Sequence, residues 1–493
     1  MEISLHQEEL TWYSPVFSAC VSQEFGADSV VPDRLPDVSR VLDTDASVYL
    51  RRRSAAAGEI TLEGDIRAAV LFQGEGDPAL RKLDFELPCA FSIPAEGVRE
   101  EDQLRARLVM TRAEGRIINP RKLGLTAEVR AIAELYRGDT AAITTGADSD
   151  ELETLLREET LTYAAQVEEK SFSVMEECQL PAGHPAIREI LHARADADIT
   201  DQKTVGGKSI LQGSARWELR YLDTEGEIRQ ERFTVPFSQL MDIPEEAVGD
   251  GDVILTAESA YAEIIPSPGG TDTVSLELHL LAQSLCWARR TMTVLSDVYS
   301  IRRPCQTETA RLALSAPAEH LMLRGTADSS LEQGERISTV LCSYVQAGIP
   351  EVSEGSLLLP VRFHALCRTE DGELSAVKRS LSLRFPGVQA PETLRFGEPM
   401  CAEPGLTVYG DRLELHLTAE LPALRLAETP VCFITRAELG EETASETSAP
   451  SLIVLRPGER SLWELGKRYH STVELIRAAN PEPKELLLIP RAR

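Results

Sequence analysis

Apolar and polar residues alternate with a period of two through most of this chain. Thr61-Leu62-Glu63 leads into Ile66, Ala68 and Val70, and Trp217-Glu-Leu-Arg-Tyr221 and Leu413-Glu-Leu-His-Leu417 repeat the pattern. Such alternation predicts strands with one face buried and one in water. Glu225-Gly226 and Asp371-Gly372 fall between strand candidates, where antiparallel hairpins place their turns. Two stretches depart from the pattern. Leu152 to Lys170 is rich in helix formers and predicts a helix, and the spacing after Pro36 predicts a short one.

The last forty or so residues change period. Leu462, Leu465 and Tyr469 lie three and four apart and share one face of a predicted helix. Ser461 precedes it, with Glu464 three residues on, the spacing of a capping box. Thr472 is placed to cap a second helix that Asn480-Pro481 ends. Short apolar runs flank the pair, Leu452–Leu455 before and Leu486–Pro490 after, so the order reads βααβ over 452–493.

The body is self-similar. Pro32-x3-Pro36-x-Val38-x-x-Val41-Leu42 returns as Pro181-x3-Pro185-x-Ile187-x-x-Ile190-Leu191, each residue 149 positions on. The same offset links Ala46 with Ala195, Gly64 with Gly213, Phe72 with Tyr221, and Ala127–Ala131 with Leu276–Leu280. A register held this long marks an internal repeat. A third copy is more worn: Thr224–Ile228 returns as Glu370–Leu374, and Leu276-Glu-Leu-His-Leu280 as Leu413-Glu-Leu-His-Leu417, but no Pro-x3-Pro head is visible. Three β-rich domains are therefore expected, at 15–137, 160–300 and 301–440. Gly138–Asp150 reads as a linker, and so does 441–451. The expected class is mainly β: three tandem sandwich or open-barrel units followed by a small βααβ domain.

Composition narrows the functions. The 493 residues carry a net charge of −28, which argues against nucleic acid or an anionic membrane as main partner. From 452 to 493, eight Lys/Arg stand against five Glu, a local cationic excess suited to an acidic partner. The nine cysteines are scattered and fit neither a disulfide framework nor a zinc pattern. Neither a leader nor a membrane span is read, so the cytosol is the expected compartment.

Catalytic motifs dissolve on inspection. Val205-Gly-Gly-Lys-Ser209 lacks the first glycine of a phosphate loop and runs into a β-like segment where a helix is needed, so it reads as a turn feeding a strand. Ser375-Ala-Val-Lys378 fits a Ser-x-x-Lys pair, but in strand-like sequence and without partner motifs. His279 and His416 sit between leucines on the solvent side of their strands. The expectation is a chain without catalytic residues, metal or cofactor.

Two resemblances rest on these residues. Residues 452–493 resemble a LysM module, which implies a domain that holds a protein partner or a glycan. Implied contacts are Pro457, Gly458, Ser461, Leu462, Trp463, Lys467, Arg468, Ile476, Arg477 and Asn480. Trp463 either packs under the first helix or stands at a binding rim. Glu459-Arg460 replaces the family's Asp-Thr, and no Pro-Gly-Gln precedes the last strand; both are loops through which such modules touch sugar.

The Pro-Asp-x-x-Pro-Asp-Val head, the Lys203–Gly213 strand and the Asp/Glu-Gly turn resemble the SPOCS domain of endospore-forming Firmicutes. Tandem SPOCS-like domains with a C-terminal LysM module are the layout of the SipL-like family of clostridial coat-morphogenesis proteins. That resemblance implies a non-enzymatic scaffold in the mother-cell cytosol, at the forespore surface. It would bind the coat-basement ATPase, stage IV sporulation protein A, through its tail and promote encasement of the forespore. The alternative is a peptidoglycan-binding protein, or one for another N-acetylglucosamine-containing glycan, acting through the same tail.

Overall fold

The computed structural model describes residues 3–56, 58–149, 151–181, 183–266, 272–332, 334–441, 451–456, 458, 460–482 and 485–491. Copy one comprises β1 (Ser4–Val30), β2 (Val38–Ala56), β3 (Glu59–Gly74), β4 (Asp77–Pro94), β5 (Gln103–Asn119) and β6 (Lys122–Asp148). Copy two has β7 (Leu152–Gln179), β8 (Ile187–Val205), β9 (Lys208–Asp223), β10 (Ile228–Asp242), β11 (Asp252–Ile265) and β12 (Thr273–Ser300). Copy three has β13 (Cys305–Glu332), β14 (Ile337–Ala347), β15 (Glu351–Ser353), β16 (Ser356–Thr369) and β17 (Leu374–Phe385). It continues through β18 (Leu394–Phe396), β19 (Met400–Cys401), β20 (Gly405–Tyr409) and β21 (Arg412–Leu439). The tail is β22 (Leu452–Leu455), α1 (Leu462–Tyr469), α2 (Val473–Ala479) and β23 (Leu487–Pro490).

Each of the first two copies folds as two antiparallel three-stranded sheets, β1-β6-β5 with β2-β3-β4 and β7-β12-β11 with β8-β9-β10. The sheets enclose one core. In copy one Ile60, Leu62, Ile66, Val70 and Phe72 of β3 meet Ala127, Val129, Ala131 and Ala133 of β6. Copy three joins β14-β16-β17 to β13-β21 through one sheet, with β18, β19 and β20 replacing the single strand seen as β5 and β11. The three repeated segments are the same central strand: Ala127, Val129 and Ala131, Leu276, Leu278 and Leu280, and Leu413, Leu415 and Leu417 are all buried.

The repeat offset is a backbone fact as well as a sequence one. β2 is bulged at Val38/Arg40, Val41/Asp43 and Leu50/Arg52, and β8 at Ile187/Glu189, Ile190/His192 and Ile199/Asp201. Gly64 and Gly213 face the third bulge, where a Cβ would run into the carbonyls of Tyr49 and Asp198. Copy three keeps the first two bulges at Ile337/Thr339 and Val340/Cys342. Its missing head is therefore present as backbone while its prolines are gone.

These bulges correct one expectation. The Val-x-x-Val-Leu spacing after Pro36 looked helical, but it belongs to strand β2, because each bulge inserts a residue and stretches a period of two into three. Leu152–Lys170 is also strand, the first part of β7, paired with β12 from Ser300 to Ala282. Its helix formers yield to a ladder of 27 paired residues that no isolated helix could offset. The Gly138–Asp150 linker is likewise strand as far as Asp148, bonded to β1 from Tyr13 to Ser4. Residues 442–450 of the second linker lie outside the described residues.

The last two corrections share one cause. β1:β6, β7:β12 and β13:β21 run on past their cores as two-stranded ribbons, and the ribbons pack on one another. Leu10 and Ile143, Leu161, Tyr163, Ala288, Met292 and Val294, and Leu314, Val431 and Phe433 form one buried cluster from all three copies. Ile143 and Met292 are repeat-equivalent. A second shared cluster closes the far end with Ile3, Leu295, Val298, Ile434, Ala437 and Leu439. At the other end of the molecule Leu42, Leu191 and Cys342 meet in a third. A two-stranded ribbon is marginal in water, and each aliphatic side chain buried here contributes about 1.5–3 kcal/mol. The copies therefore stabilise one another's ribbons.

Leu161→Ala should lower stability by about 2–5 kcal/mol through the cavity it leaves. In urea unfolding, the signals of all three copies should shift together; a shift confined to copy two would contradict a shared hub.

Candidate partner-binding tail and its seat

In the tail, α1 and α2 cover one face of the β22:β23 ribbon, with Leu465, Ile476 and Ile489 fully buried between them. The capping box forms as its spacing predicts: Ser461 Oγ accepts from Glu464 N and Ser461 N donates to the Glu464 carboxylate at 2.8 Å. Thr472 caps α2, its Oγ1 accepting from Leu475 N at 3.0 Å. Asn480 ends α2 and holds β23, donating to the carbonyls of Ile476 and Leu488 and accepting from Leu488 N.

The tail is seated on the far end of the hub. Trp463, Gly466 and Lys467 share a second face of α1, three and four residues apart. Trp463 Nε1 donates to Asp297 Oδ2 at 2.8 Å, and Lys467 Nζ reaches both oxygens of that carboxylate at 2.7 and 2.9 Å. The Tyr299 ring stands edge-on to Trp463 with centroids 4.7 Å apart. Its hydroxyl donates to the Ser471 carbonyl at 2.8 Å. A Cβ on Gly466 would lie 2.6 Å from that hydroxyl, so a glycine is needed for this approach. Burial, reinforced by Glu153 and Asp297, holds the Tyr299 hydroxyl well above its ordinary pKa and keeps it a donor.

The residues expected to contact a partner thus fall into separate groups. Ser461, Leu462, Ile476 and Asn480 belong to the module's own core and caps. Trp463 takes neither of the places considered for it: it is half-buried against β12 rather than under α1 or free at a rim. Lys467 meets a carboxylate of its own chain. Gly458, Arg468 and Arg477 are exposed, and Pro457 lies outside the described residues. Asp297 and Tyr299 were not anticipated. The available signal was Gly466, a residue that costs an eight-residue helix about 1 kcal/mol against Ala and so needs a packing reason.

A second candidate lies where the copies converge. A cavity of about 440 Å³ is lined by β2 and β5 of copy one, β8, β9, β10 and β11 of copy two, and β14 and the 398–404 segment of copy three. Its charges are paired, often across copies: Arg107 with Glu398, Arg232 with Glu403 and Glu218, and Arg216 with Asp198. Burial, partly offset by Arg232, pushes Glu218 up to about 7. Beside the cavity, Asp43 and Asp45 of copy one receive Arg220 of copy two, and Asp43 also takes His364 Nδ1 at 2.9 Å from copy three. Burial opposes the Asp43 charge, but His364, Arg220 and Lys378 outweigh it and hold the carboxyl far below the usual range. His192 is pushed down to about 3 by burial, then by Arg194. Such a network is weak support for stability but fixes how the copies face one another.

The other singled-out motifs are structural. Gly206-Gly207 turns β8 into β9, and Ser375 and Lys378 lie on β17. His279 and His416 face outward, bonded to Ser173 and Asp328. Among the described residues no group of three or more His, Cys, Asp or Glu side chains is placed to hold a metal ion, and no helix is long and apolar enough to cross a membrane.

Residues 186–265 match the family model described as SipL, SPOCS domain. The matched span runs from β8 to β11 and leaves out β7 and β12, the strands that enter the hub. The second copy is thus similar to a SipL SPOCS domain, which supports a SipL-like, sporulation-related protein. No curated protein and no solved structure matches the chain.

Gly466→Ala should strengthen α1 by about 1 kcal/mol in isolation yet unseat the tail. Proteolysis between 441 and 451 should accelerate while the body's melting temperature holds; unchanged cleavage would mean the seat is empty in solution.

Glu218 gives a pH test. Below its ordinary 4.5 it is protonated folded or unfolded, and between 4.5 and about 7 only the folded state keeps the proton. Its contribution to stability is lost as pH rises through that window. The urea midpoint of Glu218→Gln should therefore gain on the parent from pH 5 to 8; a constant difference would refute the raised pKa.

Proposed function

We propose that this chain is a non-enzymatic scaffold of endospore coat assembly. It works in the mother-cell cytosol at the forespore surface, and its tail is a LysM-like module that holds a coat-basement ATPase like stage IV sporulation protein A. The observation that carries this reading is the βααβ tail fixed at one end of a body that includes a SPOCS-like domain. The three copies share buried clusters, and the tail is held at one end of them.

Three features favour a scaffold. Arg107 and Arg232 at the cavity are held in ion pairs that tie copies together. Arg468 and Arg477 remain exposed on the tail, a cationic face on an anionic protein. The two loops through which a LysM module would hold a glycan depart from that family's sequence, with Glu459-Arg460 in place of Asp-Thr and no Pro-Gly-Gln before the last strand. That last point favours a protein partner over peptidoglycan, which remains the competing ligand in a direct test.

Deleting 452–493 should abolish capture of the purified ATPase while circular dichroism and melting show the β body intact. Undiminished capture would remove the tail from the mechanism, and sedimentation of the full chain with purified cell wall would revive the glycan reading.

A further inference from the structure

The β22:β23 ribbon has two long edges, and among the described residues only that of β23 is closed. Along β23, Leu488 N donates to Asn480 Oδ1 at 2.9 Å, the Leu488 carbonyl accepts from Asn480 Nδ2 at 2.6 Å, and the Ser471 hydroxyl donates to the Pro490 carbonyl. Side chains from the helices thus plug the outward backbone groups of that strand. In an antiparallel pair, residues that turn their backbone groups outward stand opposite residues that do the same. Leu488 is opposite Val454 and Pro490 opposite Leu452. The Arg491 N–H to Ser451 carbonyl bond of 3.1 Å, one step beyond, has the inward geometry this phase requires. The N–H and C=O of Leu452 and Val454 therefore point away from β23, and among the described residues β22 has no other strand partner.

The side chains at these positions are also open. Leu452 is 48% and Val454 51% exposed, on the ribbon face away from the helices. Arg456 follows at the end of the same strand, largely exposed beside Glu485. An aliphatic strand with a free backbone edge is a template for another chain unless charge, proline or cover blunts it. Here the adjacent strand is covered and this one is not.

We propose that the β22 edge takes an extended segment of the partner protein as a third strand. That segment carries aliphatic residues at alternate positions, over Leu452 and Val454, and carboxylates near Arg456. Main-chain bonds would supply affinity and the alternate side chains specificity. Pairing of this edge with a second copy of the chain is opposed by the −28 charge each copy carries. The proposal rests on the tail being the recruiting element.

The test uses the full-length protein against the immobilised, purified coat ATPase. Val454→Pro removes an N–H that the ladder does not use, and its ring obstructs an incoming strand. It should weaken capture by about tenfold or more, whereas Val454→Thr, which keeps the N–H, stays within about threefold. Val454→Lys, which leaves the backbone free to fold and guards the edge with charge, should also lose capture. Slow exchange of the Trp463 indole N–H reports that the tail stays seated, and Val454→Lys decides the matter if the proline variant unseats it. Capture at parental strength by seated Val454→Pro or by Val454→Lys overturns strand addition, provided deletion of 452–493 still abolishes it. Capture that survives the deletion instead overturns the recruiting role itself.

Discussion

The burial of three β-ribbons against one another is the constraint on which this molecule depends. A two-stranded ribbon has too little apolar surface to stand in water. Each copy extends its first and last strands well beyond its own core, so each holds such a ribbon and cannot satisfy it alone. Leu10, Ile143, Leu161, Met292, Leu314 and Val431 are apolar because they face the other copies. The polar junction at the opposite end then fixes rotation: Asp43, Arg220 and His364 come from three different copies and are satisfied together. Apolar burial supplies the stability there, and the buried charges supply the register.

Because the far end of the hub is closed by its own buried cluster, it offers a place for the tail to rest. Asp297 and Tyr299 lie at the end of β12, just before the chain passes to β13. They engage the outer face of α1, and the helices in turn engage the inner face of the β22:β23 ribbon. What remains uncommitted after these contacts is the other side of that ribbon and the open edge of β22. The anchoring of the tail and the exposure of that surface thus follow from one arrangement.

Much of the fold was legible in the sequence. Alternation marked the strands, and the 149-residue offset is matched by the bulges of β2 and β8. The tail was legible almost to the residue, since capping boxes and i, i+4 stripes are local. What failed was non-local. Strand β7 carries helix-forming residues because its partner, β12, lies more than a hundred positions away. Bulges disguised the period of β2, and a Gly/Thr/Ala-rich segment passed for a linker because its mate is at the N-terminus. Of the tail residues nominated for binding, several proved to be core or cap, since conspicuous residues in a small domain are often its own supports. The seat could not be read without the body it rests on; Gly466 was the lone trace it left.

The most direct test is native-state hydrogen exchange on the full chain. The account predicts that amides of residues 10–12, 141–143, 161–164, 292–295, 312–314 and 431–433 form one slowest-exchanging class with a common opening free energy. Exchange of each ribbon at the rate of its own copy's core, with three distinct energies, would contradict it.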